Sequence, residues 1–356
     1  VGADLRGTDV STDVSTAAFR GALFSNETKW AGGTVPAGAF GPGAQSAGAL
    51  LDGVAVAGAD LEGINLAGAS LRESNLEGAT LVAAALGGAR LDGTNLNGAD
   101  LSQSRMVEAS CASCTLRGAR LDGVDASRAS LVGADFGQSR ATGVSFVGAD
   151  FRRADLREAE WSEADLRGAK FAGARLGGSR MTGCLLLGAD LVDADLVGAR
   201  LDSCVADQRT VWPANTSPGA LGAVVMSPGA LLQGAKLAPH ADLRGQALTG
   251  IKANRLVAPQ ADFAQAALYG ADLSEATLTG AEFASATLRK ADLRKADLRD
   301  ARFGAADLTG ALLGGARICG ADFAAARLDR ARFDEAVACV TTRWPNNQPP
   351  NGVRFE

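Results

Sequence analysis

Few residues in this 356-residue chain are equipped for chemistry. His240 is the one histidine, in Ala-Pro-His-Ala-Asp. A lone imidazole with no nucleophile or second base near it in sequence reads as a solvated loop residue, not a general base. The six cysteines offer thiol chemistry. Cys111 and Cys114 form a Cys-x-x-Cys, yet no second pair and no histidine completes a zinc set. Cys184 and Cys204 stand twenty residues apart, and so do Cys319 and Cys339. The 45 glycines never form a Gly-rich loop ahead of a helix, so no phosphate cradle is expected. Catalytic, cofactor-binding and metal-ligating residues are expected to be absent, and the chain is read as non-enzymatic.

Charged residues carry more information than the nucleophiles do. Arg120, Arg140, Arg180 and Arg200 are separated by multiples of twenty, with Glu160 filling the gap and Asp60, Thr80 and Asp100 preceding them. If twenty residues make one structural layer, these side chains form a column whose upper half is basic. They are the best candidates for a partner contact. Arg289, Lys290, Arg294, Lys295 and Arg299 do not share that spacing and would make a girdle, offset by Asp292 and Asp297. The net charge of −5 argues against direct nucleic-acid binding.

The elements that hold these residues are set by a beat of five. From Leu51 to Ala206 every fifth residue is Leu, Phe or a smaller substitute, with Ala commonly two before it and Gly commonly two after. A second run spans Leu243 to Ala338, and one residue is gained between Leu237 and Leu243, across His240. Five fits neither a helix face nor a strand. It suits a chain that turns a corner once per repeat, Gly supplying the positive φ of a type II turn. Four corners close a coil of twenty residues. Phe263, Phe283, Phe303 and Phe323 share that spacing, as do Phe151 and Phe171, so each set should stack in one column. Trp161 falls between Ala141 and Met181, and the small Ala leaves room for its ring. In this frame Cys111, Cys114, Cys184 and Cys204 point inward as small apolar fillers, whereas Cys319 and Cys339 point outward. Stacked coils bring such pairs to roughly 5 Å between Cα atoms, so Cys319 and Cys339 are the candidate disulfide.

The stretches ADLEGINLAGASLRESNLEG (59–78) and ADLRKADLRDARFGAADLTG (291–310) resemble the pentapeptide repeat family, A(D/N)LXX. The resemblance covers about four-fifths of the chain. It implies an all-β, right-handed quadrilateral parallel β-helix, the central Leu/Phe and the preceding Ala pointing in. Some members of that family are similar to B-form DNA in size and charge and bind DNA gyrase in its place.

Three interruptions share Thr-x-Trp: Thr28 to Trp30, Thr210 to Trp212 and Thr342 to Trp344. Each Trp lies six residues after the last in-frame inward position, Phe24, Ala206 or Ala338. A solenoid end needs a lid over its open core and unpaired backbone, and a Trp followed by chain that cannot join a sheet provides one. Trp30, Trp212 and Trp344 are therefore read as structural caps, a binding elbow between rods being the other reading. The expected organisation is a partial unit over 1–30, a Gly/Pro linker over 31–48 and a first β-helix over 49–206. A cap and connector over 207–231, a second β-helix over 232–340 and a cap with polar tail over 341–356 follow. Residues 1–24 hold little more than one coil, so they dock on the next unit or belong to something longer.

The expected function is protein binding, or rigid spacing within a larger chain or assembly, in a cytoplasmic bacterial setting. No apolar run reaches the length of a membrane span and no secretory signal is visible. The alternative is DNA mimicry toward gyrase or another topoisomerase, with antibiotic resistance as its consequence. Magnitude weighs against it. A rod of about 38 Å that imitated duplex DNA fully would carry about twenty-two negative charges. Residues 49–206 carry twenty-one acidic and fifteen basic side chains, a net of −6.

Overall fold

A computed structural model describes residues 40–237 and 239–356, with Arg6 and the short strands β1 (Asp9–Val10) and β2 (Lys29–Trp30). β1 and β2 pair in parallel, Asp9 opposite Lys29 and Val10 opposite Trp30. The Trp30 side chain and the rest of the expected 1–30 unit lie outside the described residues.

From Phe40 the chain alternates a two-residue turn with a single parallel bridge. Bridges join residues twenty apart: Asp60 to Thr80, Thr80 to Asp100, Asp100 to Arg120. The hydrogen bonds show how little backbone is left over. The Leu61 N–H donates to the Thr80 carbonyl at 2.7 Å, and the Thr80 N–H donates to the Ala59 carbonyl at 2.9 Å. Between them the Ile64 N–H closes the corner onto the Leu61 carbonyl at 3.1 Å. Each coil thus satisfies its neighbour's polar groups with almost no continuous strand.

Two side-chain positions explain the repeat. The second turn residue takes a positive φ, +64° at Gly98, which glycine adopts without strain; Glu158 takes +60° there. Asp or Asn just before the central Leu caps the turn with its carboxylate or amide oxygen. Asn75 accepts the Glu77 N–H at 3.1 Å and Asp150 accepts the Arg152 N–H at 3.1 Å. Inward, Leu61, Leu81, Leu101 and Leu121 and the accompanying alanines are buried. Each such leucine contributes about 1.5–3 kcal/mol of transfer free energy.

The chain divides into two compact units, Val1–Asp202 with Arg209–Ser217, and Ser203–Gln208 with Pro218–Glu356. In the first unit the core carries an aromatic knot. Phe136, Phe146, Phe151 and Trp161 meet at centroid distances of 4.8–6.1 Å, mostly edge-on or tilted. Trp161 is 1 % exposed and donates Nε1–H to the Ser139 hydroxyl at 3.0 Å. Over this knot the coil straightens into a three-stranded parallel sheet, β3 (Arg140–Thr142), β4 (Glu160–Ser162) and β5 (Arg180–Thr182). In the second unit the aromatics stack flat. Phe263, Phe283, Phe303 and Phe323 are 5.1, 5.0 and 4.4 Å apart with interplanar angles of 5–12°.

The Thr-x-Trp segments are not additions beyond the frame. Asp190 bridges Val211 and Asp322 bridges Arg343, so each segment closes a coil of twenty-one residues, not twenty. Within that coil Thr takes the small inward position and Trp the central one. Trp344 extends the phenylalanine ladder, 5.3 Å from Phe323 at 10°, and is 5 % exposed. Trp212 is half-buried. The same one-residue gain occurs at Leu231–Lys252 and Lys236–Val257, and the register returns to twenty at Asp242–Asp262, across His240.

Two expected boundaries shift. The 31–48 linker is too long, because Phe40–Gly48 already coil: Phe40, Ala44 and Ser46 are buried and Gly43 and Gly48 take the corners. The 207–231 connector divides, Arg209–Ser217 going with the first unit. In the second, a 3₁₀ turn at Pro218–Leu221 leads to β7 (Val224–Met226), which pairs in parallel with β6 (Val205–Asp207). At the chain's end, β8 (Val337–Ala338) pairs with β9 (Arg354–Phe355).

Candidate functional site

Arg120, Arg140, Arg180 and Arg200 project from one face of the first unit, in register with Asp100 below and Glu160 between. An arginine just before the central residue cannot cap the turn as Asp or Asn does, so its side chain extends along the surface. All four are exposed. None is bare. Arg120 lies 3.4 Å from Asp100 and 3.2 Å from Asp122. Glu160 is shared by Arg140 at 3.3 Å and Arg180 at 3.5 Å, and Arg200 meets Asp202 at 2.8 Å. Exposed pairs of this kind are each worth roughly 0–1 kcal/mol, so they do not lock the guanidinium groups away from a partner.

Beside this column runs the corner column Gly118, Gln138, Glu158 and Gly178. The glycines leave a trough, and together the two columns line a groove of about 660 Å³ holding Arg120, Arg140 and Arg180 against Glu158 and Glu160. Gln138 donates to Glu158 at 2.9 Å along the corner column. The Arg column was legible at a spacing of twenty. So were the two glycines beside it, which reading column by column for charge alone passes over.

Elsewhere a set of arginines is spent locally. In Asp-x-Arg the guanidinium folds back onto the capping carboxylate: Arg152 onto Asp150 at 2.7 Å, Arg157 onto Asp155 at 2.6 Å, Arg294 onto Asp292 at 2.6 Å. These charge-assisted bonds hold all three carboxyls below the usual aspartate range, against the opposing effect of burial. In the girdle, Arg294 and Arg299 are clamped this way, and Lys290 sits 5.8 Å over the Tyr269 ring.

His240 is exposed in its corner, with φ +60°. Cys184 and Cys204 are buried thiols. Cys319 and Cys339 are disulfide-bonded, their Cα atoms 4.8 Å apart. Cys111 and Cys114 are also bonded to each other inside the core, at 0 % and 1 % exposure. Their reading as apolar fillers accounts for the burial but not for the bond, which spans one corner of the coil. Among the described residues no group of three or more His, Cys, Asp or Glu is placed to hold a metal, and no helix is long and apolar enough to cross a membrane.

Comparison with known proteins agrees with the coil geometry. The family description "Pentapeptide repeats" matches eight copies, within residues 49–205 and 261–337, more than half the chain. No curated protein matches the sequence. Among solved structures the chain is similar to HetL, a pentapeptide repeat protein involved in heterocyst differentiation regulation from the cyanobacterium Nostoc sp. strain PCC 7120. That match has 24 % identity over 78 % of this chain and 92 % of that one, with a TM-score of 0.22. It is similar also to trypsin-treated QnrB1, a plasmid-mediated fluoroquinolone resistance protein, at 15 % identity over 72 % and 89 %, TM-score 0.23. A third, alr5209 from Nostoc PCC 7120, is 27 % identical over 41 % and 84 %, TM-score 0.16. Superpositions this loose carry no functional argument. The family match and the coil do carry the classification: this chain belongs to the pentapeptide repeat family.

Proposed function

We propose that the chain is a non-enzymatic scaffold that binds another protein through its outward columns, or holds a fixed spacing within a larger chain or assembly. One observation carries the reading: on the face that includes β3–β5, two pairs of guanidinium groups, Arg120–Arg140 and Arg180–Arg200, stand at strand spacing, about 4.8 Å, on either side of Glu160 and beside a groove with a glycine at each end. Rigid spacing of weak polar contacts gives orientation and specificity more than raw affinity. Arg120, Arg140, Arg180 and Arg200 form the contact surface, and three guanidiniums over two carboxylates favour a partner segment carrying acidic side chains.

A photo-crosslinking residue placed at Thr142, on this face, tests the proposal in cells of the source organism. The expected result is a discrete protein adduct that is missing when the probe stands at Ala172 instead. Identical adducts from both positions, or none, would overturn binding through this face and leave rigid spacing. The alternative partner, a topoisomerase engaged by DNA mimicry, is decided by a supercoiling assay with purified gyrase: inhibition or drug protection supports mimicry, and an unchanged rate supports the scaffold.

A further inference from the structure

The two disulfides differ in what can reach them. Cys111 and Cys114 are sealed in the core. Cys319 and Cys339 stand in an outward column of the second unit, both half-buried, beside Gly320 and the fully projecting Val340. Their bond ties the last regular coil to the closing one. The closing coil has little else to hold it at this corner. The Cys339 N–H donates to the Thr342 hydroxyl at 3.1 Å, the Thr342 N–H returns to the Cys339 carbonyl at 3.0 Å, and the Thr342 hydroxyl donates to the Ile318 carbonyl at 3.1 Å. Two residues on, Trp344 covers Phe323 and Phe333. One short turn therefore carries the disulfide, the buried threonine and the lid of the ladder.

We propose that the Cys319–Cys339 bond is a redox-operated fastener for the closing coil, and that a small dithiol opens it while Cys111–Cys114 stays closed. The thiolate of the dithiol attacks Cys319 Sγ, and the S–S electron pair leaves on Cys339 Sγ. The Thr341 hydroxyl, 3.0 Å from that sulfur, donates to it and stabilises the leaving thiolate. The second thiol of the reagent then displaces Cys319, leaving a cyclic disulfide and, after protonation, two cysteine thiols. A closed loop of twenty residues is thereby released, and its restored freedom favours opening of the coil end.

Hydrogen exchange read by mass spectrometry tests this on the full chain, with and without dithiothreitol. Reduction should speed exchange in 337–356 by about tenfold or more and leave 261–310 unchanged. The Cys319→Ser/Cys339→Ser variant should exchange like the reduced protein and ignore the reagent. Cys111→Ala/Cys114→Ala should keep the response. Equal protection of 337–356 in both redox states would overturn the proposal. So would a response that survives in the Cys319→Ser/Cys339→Ser variant.

Discussion

Two coils end in the same three-residue pattern and hold their tryptophans differently. Thr210-Val211-Trp212 and Thr342-Arg343-Trp344 each close a coil one residue longer than the rest. In both the threonine is buried and its hydroxyl donates to a carbonyl twenty-four residues back, Thr210 to Leu186 at 2.8 Å and Thr342 to Ile318 at 3.1 Å. Trp344 is buried on Phe323, whereas Trp212 is half-buried above a column in which Leu191 follows Phe171. The threonine is the shared device. It adds a second hydrogen bond to a carbonyl that already accepts the corner N–H, Ala189 onto Leu186 at 2.9 Å and Ala321 onto Ile318 at 3.1 Å. How deep the tryptophan sits depends on whether an aromatic ring lies beneath it.

Replacing the tryptophans should separate the two coils most. Trp344→Ala is expected to cost about 3–5 kcal/mol, the range for a buried aromatic. Trp212→Ala should cost about 1.5 kcal/mol, as befits a half-buried ring. Denaturant unfolding measures both, and equal losses would break the distinction. The threonines should behave alike: Thr210→Val and Thr342→Val are each expected to cost about 0.5–1.5 kcal/mol, because each removes one buried hydrogen bond. A loss in only one coil would mean that the hydroxyl is not the common device. Leu191→Phe sharpens the contrast from the other side. Continuing the Phe151–Phe171 stack beneath Trp212 should add about 0.5–1 kcal/mol and raise the cost of Trp212→Ala in that background.

The smallest effect is in acid. Asp150, Asp155 and Asp292 have folded-state pKa values below the unfolded value of about 3.9, chiefly through their arginine partners. Their contribution is therefore present above roughly pH 4 and is lost as pH falls through the lowered folded values. Asp155→Asn should flatten that part of the acid unfolding curve and leave stability near neutrality only slightly reduced.

Much of this was legible in the sequence because the repeat constrains every fifth residue. The Leu/Phe beat, the Phe263–Phe323 column and the extra residue at His240 all follow from counting. The closing coils did not. Trp212 and Trp344 stand six residues after the last inward position, which reads as leaving the frame; only the bridges of Asp190 and Asp322 show that the frame stretches instead. The arginine face was visible as a column, but its partners were less so. Which of Asp100, Asp122, Glu160 and Asp202 reaches which guanidinium depends on side-chain reach, not on spacing. At 40–48 the Gly/Pro content hides Phe40, Ala44 and Ser46 at inward positions, so a coiled segment reads as linker.

The central claim is that the face built on β3–β5 works by contact with a protein. Reversing Arg120, Arg140, Arg180 and Arg200 to glutamate in one variant tests it most directly, with the crosslinking residue kept at Thr142. Stacking six carboxylates from Asp100 to residue 200 adds like-charge repulsion to the loss of the weak ion pairs, so the unfolding midpoint should fall, while the exposed positions leave the coil folded under native conditions. The account predicts that the protein adduct disappears while the coil stays folded. An adduct of undiminished yield from the folded variant would contradict it.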